Sequence, residues 1–112
     1  MVKPVVTARP GQTIKVARRL MREAHIRHLP VLDEDNLLVG IVSDRDLRDV
    51  RDDLLTVAEI MTHPVFVLTP DTPLRQAART FRERRIGAMP VVDGRALVGI
   101  VSIIDVLRAL SE

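Results

Sequence analysis

The chain is written almost twice over. Residues 1–33 realign on residues 61–93 at one constant offset, and after one residue is lost from a loop, residues 38–46 realign on 97–105. Pro4, Val5 and Pro10 fall on Pro64, Val65 and Pro70; Pro30, Val31 and Asp33 fall on Pro90, Val91 and Asp93; Gly40, Ser43 and Asp46 fall on Gly99, Ser102 and Asp105. A unit of about 50 residues buries too little surface to stand alone, so a tandem of two predicts halves packed about a pseudo-twofold axis, with equivalent clefts at the seam. The expected division is residues 1–55, a first repeat with its connector, and residues 56–112, a second repeat.

Composition narrows the chemistry more than the fold. The 112 residues contain no cysteine, which removes disulfides, thiolate nucleophiles and cysteine zinc sites together. His25 and His28 stand three apart with no further evident ligand, so no metal is expected. No apolar run is long enough to cross a bilayer and no basic-then-apolar leader opens the sequence, which predicts a soluble, unprocessed, cytoplasmic protein with no membrane partner. The formal charge is only +2, although the basic side is almost all arginine, with Lys3 and Lys15 the only lysines.

Each repeat reads as strand, helix, strand, strand, helix, an α+β unit. Short β-prone runs at residues 4–7 and 64–68 end at Pro10-Gly11 and Pro70-Asp71. Ile14, Ala17, Met21 and Ala24 then form one apolar helical stripe, which Leu74, Ala77, Ala78 and Phe81 repeat, with Thr72 the expected N-cap and Pro73 the first helical position. Two apolar runs follow in each copy, at residues 29–32 and 37–42 and at 89–92 and 96–101; Asp93-Gly94 between the second pair is a hairpin signal. Closing helices are expected over 44–50 and 103–110, and Thr56 with Glu59 can open one further helical turn through Met61.

The lines Ile26-Arg27-His28-Leu29-Pro30-Val31-Leu32-Asp33 and Leu38-Val39-Gly40-Ile41-Val42-Ser43-Asp44-Arg45-Asp46-Leu47, with their second copies, resemble a pair of CBS domains, the regulatory repeats named after cystathionine beta-synthase. Glu59-Ile60-Met61-Thr62 resembles that family's usual lead-in to a repeat. The resemblance covers essentially the whole chain. It implies a two-repeat module that pairs into a homodimer, requires no cofactor, and binds an adenosine compound, AMP, ADP, ATP or S-adenosylmethionine, in clefts between repeats.

The residues themselves support a nucleoside cradle. Ser43 and Ser102 each end a strand and begin a helix, where unpaired N–H groups and the helix dipole favour an anion. Asp46 and Asp105, three residues on, can accept hydrogen bonds from a ribose diol. Gly40 and Gly99, lacking a Cβ, allow a ligand or another backbone to come close. The same Ser-x-x-Asp spacing is also a helix capping box that needs no ligand, and the two roles are compatible.

By the family's pattern, Ser102 and Asp105 combine with Arg27, His28 and Arg45 in a basic cleft, while Ser43 and Asp46 combine with Gly87, Ala88 and Ile104 in a nearly apolar one. Arginine offers phosphate a planar multi-donor fork, and histidine adds charge when protonated, so a phosphorylated adenosine is expected in the basic cleft. Adenine is expected on backbone near Ala8 and Arg9, or near Leu68 and Thr69 in the second cleft. Two other readings compete: a dimerisation or scaffold module with empty clefts serving an unknown regulated protein, and a nucleic-acid binder using Arg18, Arg19 and Arg22 with Arg79, Arg82, Arg84 and Arg85. Against the latter, Phe66 and Phe81 are the only aromatics, and Glu23 and Glu83 are placed to pair with the arginines. Catalysis is not expected: there is no phosphate loop, no glycine-flanked serine and no base evident for Ser43 or Ser102.

Overall fold

A computed structural model describes residues 5–112. The elements run α1 (Ile14–Ala24), β1 (His28–Leu32), β2 (Leu38–Ser43), α2 (Asp44–Leu47), α3 (Val57–Ile60), α4 (Leu74–Arg84), β3 (Ala88–Asp93), β4 (Ala96–Ser102) and α5 (Ile103–Ser111). They divide into two compact units: residues 6–65, and a second built on residues 66–112.

In the first unit β1 and β2 form an antiparallel hairpin with His28 opposite Ser43 and Val31 opposite Gly40. In the second, β3 and β4 repeat it with Ala88 opposite Ser102 and Val91 opposite Gly99. The register slips at the same place in both, after Val31 and after Val91. The turns use different residues to reach the left-handed region, Asn36 at φ 62° in one copy and Gly94 at φ 63° in the other. Both long helices close on a non-glycine residue in that region, His25 and Arg85, whose N–H groups reach back to the last turn.

Six core slots match between the units, whereas Leu74, expected on the buried stripe of α4, is 43% exposed where its counterpart Ile14 is fully buried. Ala8, Ala17, Met21, Leu29, Val31 and Leu47 are buried in the first unit where Leu68, Ala77, Phe81, Met89, Val91 and Val106 are buried in the second. Ala8 against Leu68 and Met21 against Phe81 show the same slots filled at different volumes, a repacking that interiors tolerate when neighbours adjust together.

The connector belongs structurally to the first unit. Val57 is fully buried in the first core, its N–H donates to the Gln12 carbonyl at 2.7 Å, and Ala58 donates to Pro10 at 3.0 Å. Thr62 then exchanges both backbone hydrogen bonds with Ile41, at 2.8 and 3.1 Å, which adds one rung to the β2 edge.

Several local expectations change. The described part of the 4–7 run, and the 64–68 run, are not strands: each shrinks to one parallel bridge, Ala8 to Val31 and Leu68 to Val91. The opposing strands carry Pro30 and Pro90, whose carbonyls accept from Ala8 and Leu68 but which have no N–H to extend the ladder. Helix α2 stops at Leu47 rather than continuing to Val50, because the Leu47 carbonyl accepts from Val50 N–H and from Arg18. Pro73, not Thr72, occupies the cap position of α4; the Thr72 hydroxyl instead accepts from Thr69 N–H at 2.9 Å in the preceding turn.

Candidate functional site

Both Ser-x-x-Asp elements form capping boxes with the same geometry. Ser43 Oγ accepts from Asp46 N–H at 3.1 Å while Asp46 Oδ2 accepts from Ser43 N–H at 2.9 Å; Ser102 and Asp105 reproduce both distances. The first helical N–H is also engaged, Asp44 donating to the Arg27 carbonyl and Ile103 to the Gly87 carbonyl. Beyond the serine O–H, one backbone donor and one carboxylate oxygen remain at each helix start. The N–H groups of Arg45 and Ile104 have no partner among the described residues, nor does the Oδ1 of Asp46 or Asp105. Capping therefore uses only half of each aspartate. The hydrogen bonds from Ser102, above all the backbone one, hold the Asp105 carboxyl below its usual range, so it is ionised well into the acid.

Arg27, His28 and Arg45 gather around the Ser43 helix start in the first unit. His28 lies half-buried on β1, with Asp44 and Asp46 favouring its charged form and Arg27 and Arg45 opposing it. Burial is the largest influence and holds its pKa below the ordinary histidine value, so the imidazole is neutral at pH 7. The basic character of this cluster thus comes from the exposed Arg27 and Arg45 alone. Around Ser102, the corresponding residues are Gly87, the buried Ala88 and Ile104, which is 52% exposed.

The expected adenine positions are largely committed to the fold. Ala8 N–H donates to Pro30 and its carbonyl accepts from Leu32; Leu68 does the same with Pro90 and Val92. Arg9 N–H donates to Gln12 Oε1 at 2.7 Å, and Thr69 N–H to the Thr72 hydroxyl. The backbones of these residues retain only carbonyl lone pairs, which suit an exocyclic amine as donor. The Arg9 guanidinium is tied to the β1–β2 turn, through the carbonyl of Asp33 and Asn36 Oδ1.

Gly40 serves packing, not ligand approach. A Cβ there would run into Met61 Sδ and sit 3.2 Å from Met61 Cβ. Met61 was legible only as part of a lead-in motif, because its contact with Gly40 bridges twenty-one positions of sequence. The pairing expected of Glu23 and Glu83 is also absent: the one ion pair among the described residues joins Arg18 to Asp53.

The CBS domain family model matches residues 1–53 and again residues 57–112. The chain belongs to the CBS domain family. Among solved structures, the CBS domain pair of protein MJ0100, in complex with 5′-methylthioadenosine and S-adenosyl-L-methionine, is 34% identical and superposes with a TM-score of 0.89, covering 99% of this chain and 91% of that one. CBSX2 in complex with AMP is 29% identical with a TM-score of 0.83, covering 97% and 89%. Among curated relatives, a homoserine O-acetyltransferase of Methanohalobium evestigatum is 34% identical over all of this chain but 23% of its own length. An inosine-5′-monophosphate dehydrogenase of Mycobacterium tuberculosis is 36% identical over 96% of this chain and 21% of its own. This CBS pair thus spans about a quarter or less of those enzymes. Among the described residues, no helix is long and apolar enough to cross a membrane.

Proposed function

We propose that this CBS pair is a non-catalytic sensor of an adenosine nucleotide. The observation that carries the reading is the half-spent capping box: each helix start keeps one ionised carboxylate oxygen for a ribose hydroxyl and one N–H for an anionic tail. Arg27 and Arg45 supply the fork for phosphate, and the adenine amine donates to a carbonyl near Ala8 or Leu68. The preferred set is Ser102 and Asp105 with Arg27, His28 and Arg45, which follows the family's crosswise pattern. A phosphate beside His28 opposes the burial that keeps the imidazole neutral. The AMP and S-adenosylmethionine bound by the structural relatives support the ligand class. Occupancy acts on a regulated protein by favouring one of two arrangements of the module, to the extent that the ligand binds them differently.

Thermal melting against AMP, ADP, ATP, S-adenosylmethionine and the guanine analogues tests this. A ligand at one hundred times its dissociation constant adds about 2.7 kcal/mol of stability. The ligand-induced shift, measured relative to each variant's own melting point, is expected to vanish in Asp105→Ala and to survive in Asp46→Ala. Equal loss in both overturns the preference for the Ser102 set. Silence toward every nucleoside compound leaves both boxes as helix caps alone and favours the scaffold reading.

A further inference from the structure

We infer that residues 70–75, leading into α4, are a docking edge for an extended segment of a partner protein, which pairs its backbone with this stretch and buries apolar side chains beside Leu74. The first repeat shows the same edge filled. There the connector runs antiparallel to residues 10–15: Ile14 and Lys15 N–H donate to the Leu55 and Asp53 carbonyls at 2.8 and 3.1 Å, and the Gln12 and Pro10 carbonyls accept from Val57 and Ala58 at 2.7 and 3.0 Å, with Thr13 bridged to Thr56. Val57 is fully buried in that core, Leu55 and Ile60 pack against it, and Ile14 is sealed from solvent.

In the second repeat the aligned positions are Pro70, Thr72, Leu74 and Arg75. Among the described residues, the N–H groups of Leu74 and Arg75 and the carbonyls of Pro70 and Thr72 have no hydrogen-bond partner. The second core has no residue in the slots that Leu55, Val57 and Ile60 fill in the first, and Leu74 is 43% exposed. Helix α4 also begins with no side-chain cap and no acid in its first turn, whereas Thr13 caps α1. Residues 107–111, which align with the stretch that turns back in the first repeat, continue α5 instead. Backbone donors and acceptors in the order the first repeat uses, beside an uncovered leucine, are what the addition of an extended segment requires.

The filled copy specifies the occupant. The partner segment carries apolar side chains at the places of Leu55 and Val57, one residue apart, and no proline at the places of Val57 and Ala58, whose N–H groups must donate. An acid at the place of Asp53 suits a helix start that has none of its own. A second copy of this chain is not the occupant, because its segment of this pattern, residues 53–58, is held in its own first repeat. This inference is independent of the nucleotide reading, since Pro70, Thr72, Leu74 and Arg75 lie outside the proposed ligand set.

The test uses the whole chain and a fluorescein-labelled peptide that copies residues 51–60, followed by fluorescence anisotropy. The copy is expected to bind, and peptides carrying Val57→Asp or Val57→Pro to bind about tenfold or more weakly, the first by placing a charge in an apolar slot and the second by removing a donor. In the protein, Leu74→Asp is expected to weaken binding of the unaltered copy about tenfold or more; the residue is exposed and an acid suits a first helical turn, so the fold is retained. Amide hydrogen exchange at Leu74 and Arg75 is expected to slow when the copy is bound. No binding, or equal binding of the Val57→Asp peptide, overturns the inference. So does binding that Leu74→Asp leaves unchanged, since the peptide then displaces the connector from the first repeat, and so does a sedimenting dimer that Leu74→Asp converts to monomer, since a second copy then covers the edge. The adenosine-induced melting shift is unchanged in Leu74→Asp, which separates failure here from failure of the sensor reading.

Discussion

Arg18 and Ala78 occupy the same place in the two repeats and produce opposite surfaces. The Arg18 guanidinium donates to the carbonyls of Leu47 and Val50 at 2.7 and 2.6 Å and pairs with Asp53. That arrangement ends α2 after one turn and folds the chain back, so that the Leu55 and Asp53 carbonyls accept from Ile14 and Lys15 at the start of α1. Ala78 offers only a methyl group, α5 continues through Ser111, and the space beside it stays an open apolar groove. Two copies of one fold can therefore differ in what they leave available to a partner when a single slot changes from a multi-donor cation to a methyl. The first repeat satisfies its helix face internally; the second presents it.

The strongest way to disturb this contrast is to prise the connector from the first repeat. Gly40→Ala drives a methyl into Met61 and is expected to cost about 1–3 kcal/mol in urea denaturation, as overpacking does. Met61→Ala in the same chain relieves part of that loss, so the double variant is more stable than the two single losses added. An additive double variant would show that the connector does not press on the β2 edge.

A smaller effect comes from the slot itself. Arg18→Ala leaves the Val50 carbonyl and Asp53 without that donor, and the Leu47 carbonyl with Val50 N–H alone, and is expected to lower stability by about 1–2 kcal/mol, discounted because the side chain is about a third exposed. Ala78→Arg, projecting into an open groove, is expected to stay within about 0.5 kcal/mol of the parent. Matching losses at the two positions would erase the distinction between a satisfied face and a presented one.

The smallest difference is a pH slope. Burial lowers the His28 pKa in the folded state, so between that value and the ordinary histidine value the unfolded chain binds more protons. The stabilisation is complete above the ordinary value and disappears as pH falls through the folded one. The aligned residue, Ala88, contributes no such slope. Denaturation midpoints taken from pH 7.5 to 5 are expected to fall less steeply in His28→Gln than in the parent; identical slopes would mean the imidazole titrates as if unfolded.

Much of this was readable from short-range chemistry. The two hairpins, the long helices, the extra turn after Thr56 and both Ser-x-x-Asp caps follow from spacings of four residues or fewer and from alternating or 3.6-residue patterns. Most departures turn on who takes a given hydrogen bond. Residues near Ala8 and Leu68 look like strands by composition, but proline across the ladder leaves each a single bridge. Ala8, Arg9, Leu68 and Thr69 look like free backbone for adenine, but turn and bridge partners already hold their N–H groups. Gly40 looks like room for a ligand until Met61 fills it.

By itself, the sequence determined that there are two equivalent α+β halves, that each ends a hairpin in a serine-capped helix, and that the chain is a CBS pair, because repetition and capping are local and additive. Only the tertiary structure decided that one oxygen of each capping aspartate stays unspent, that His28 is neutral, and that the connector closes the first repeat while α4 and α5 leave a groove in the second. Those outcomes depend on burial and on competition among distant donors and acceptors, which no stretch of sequence specifies on its own.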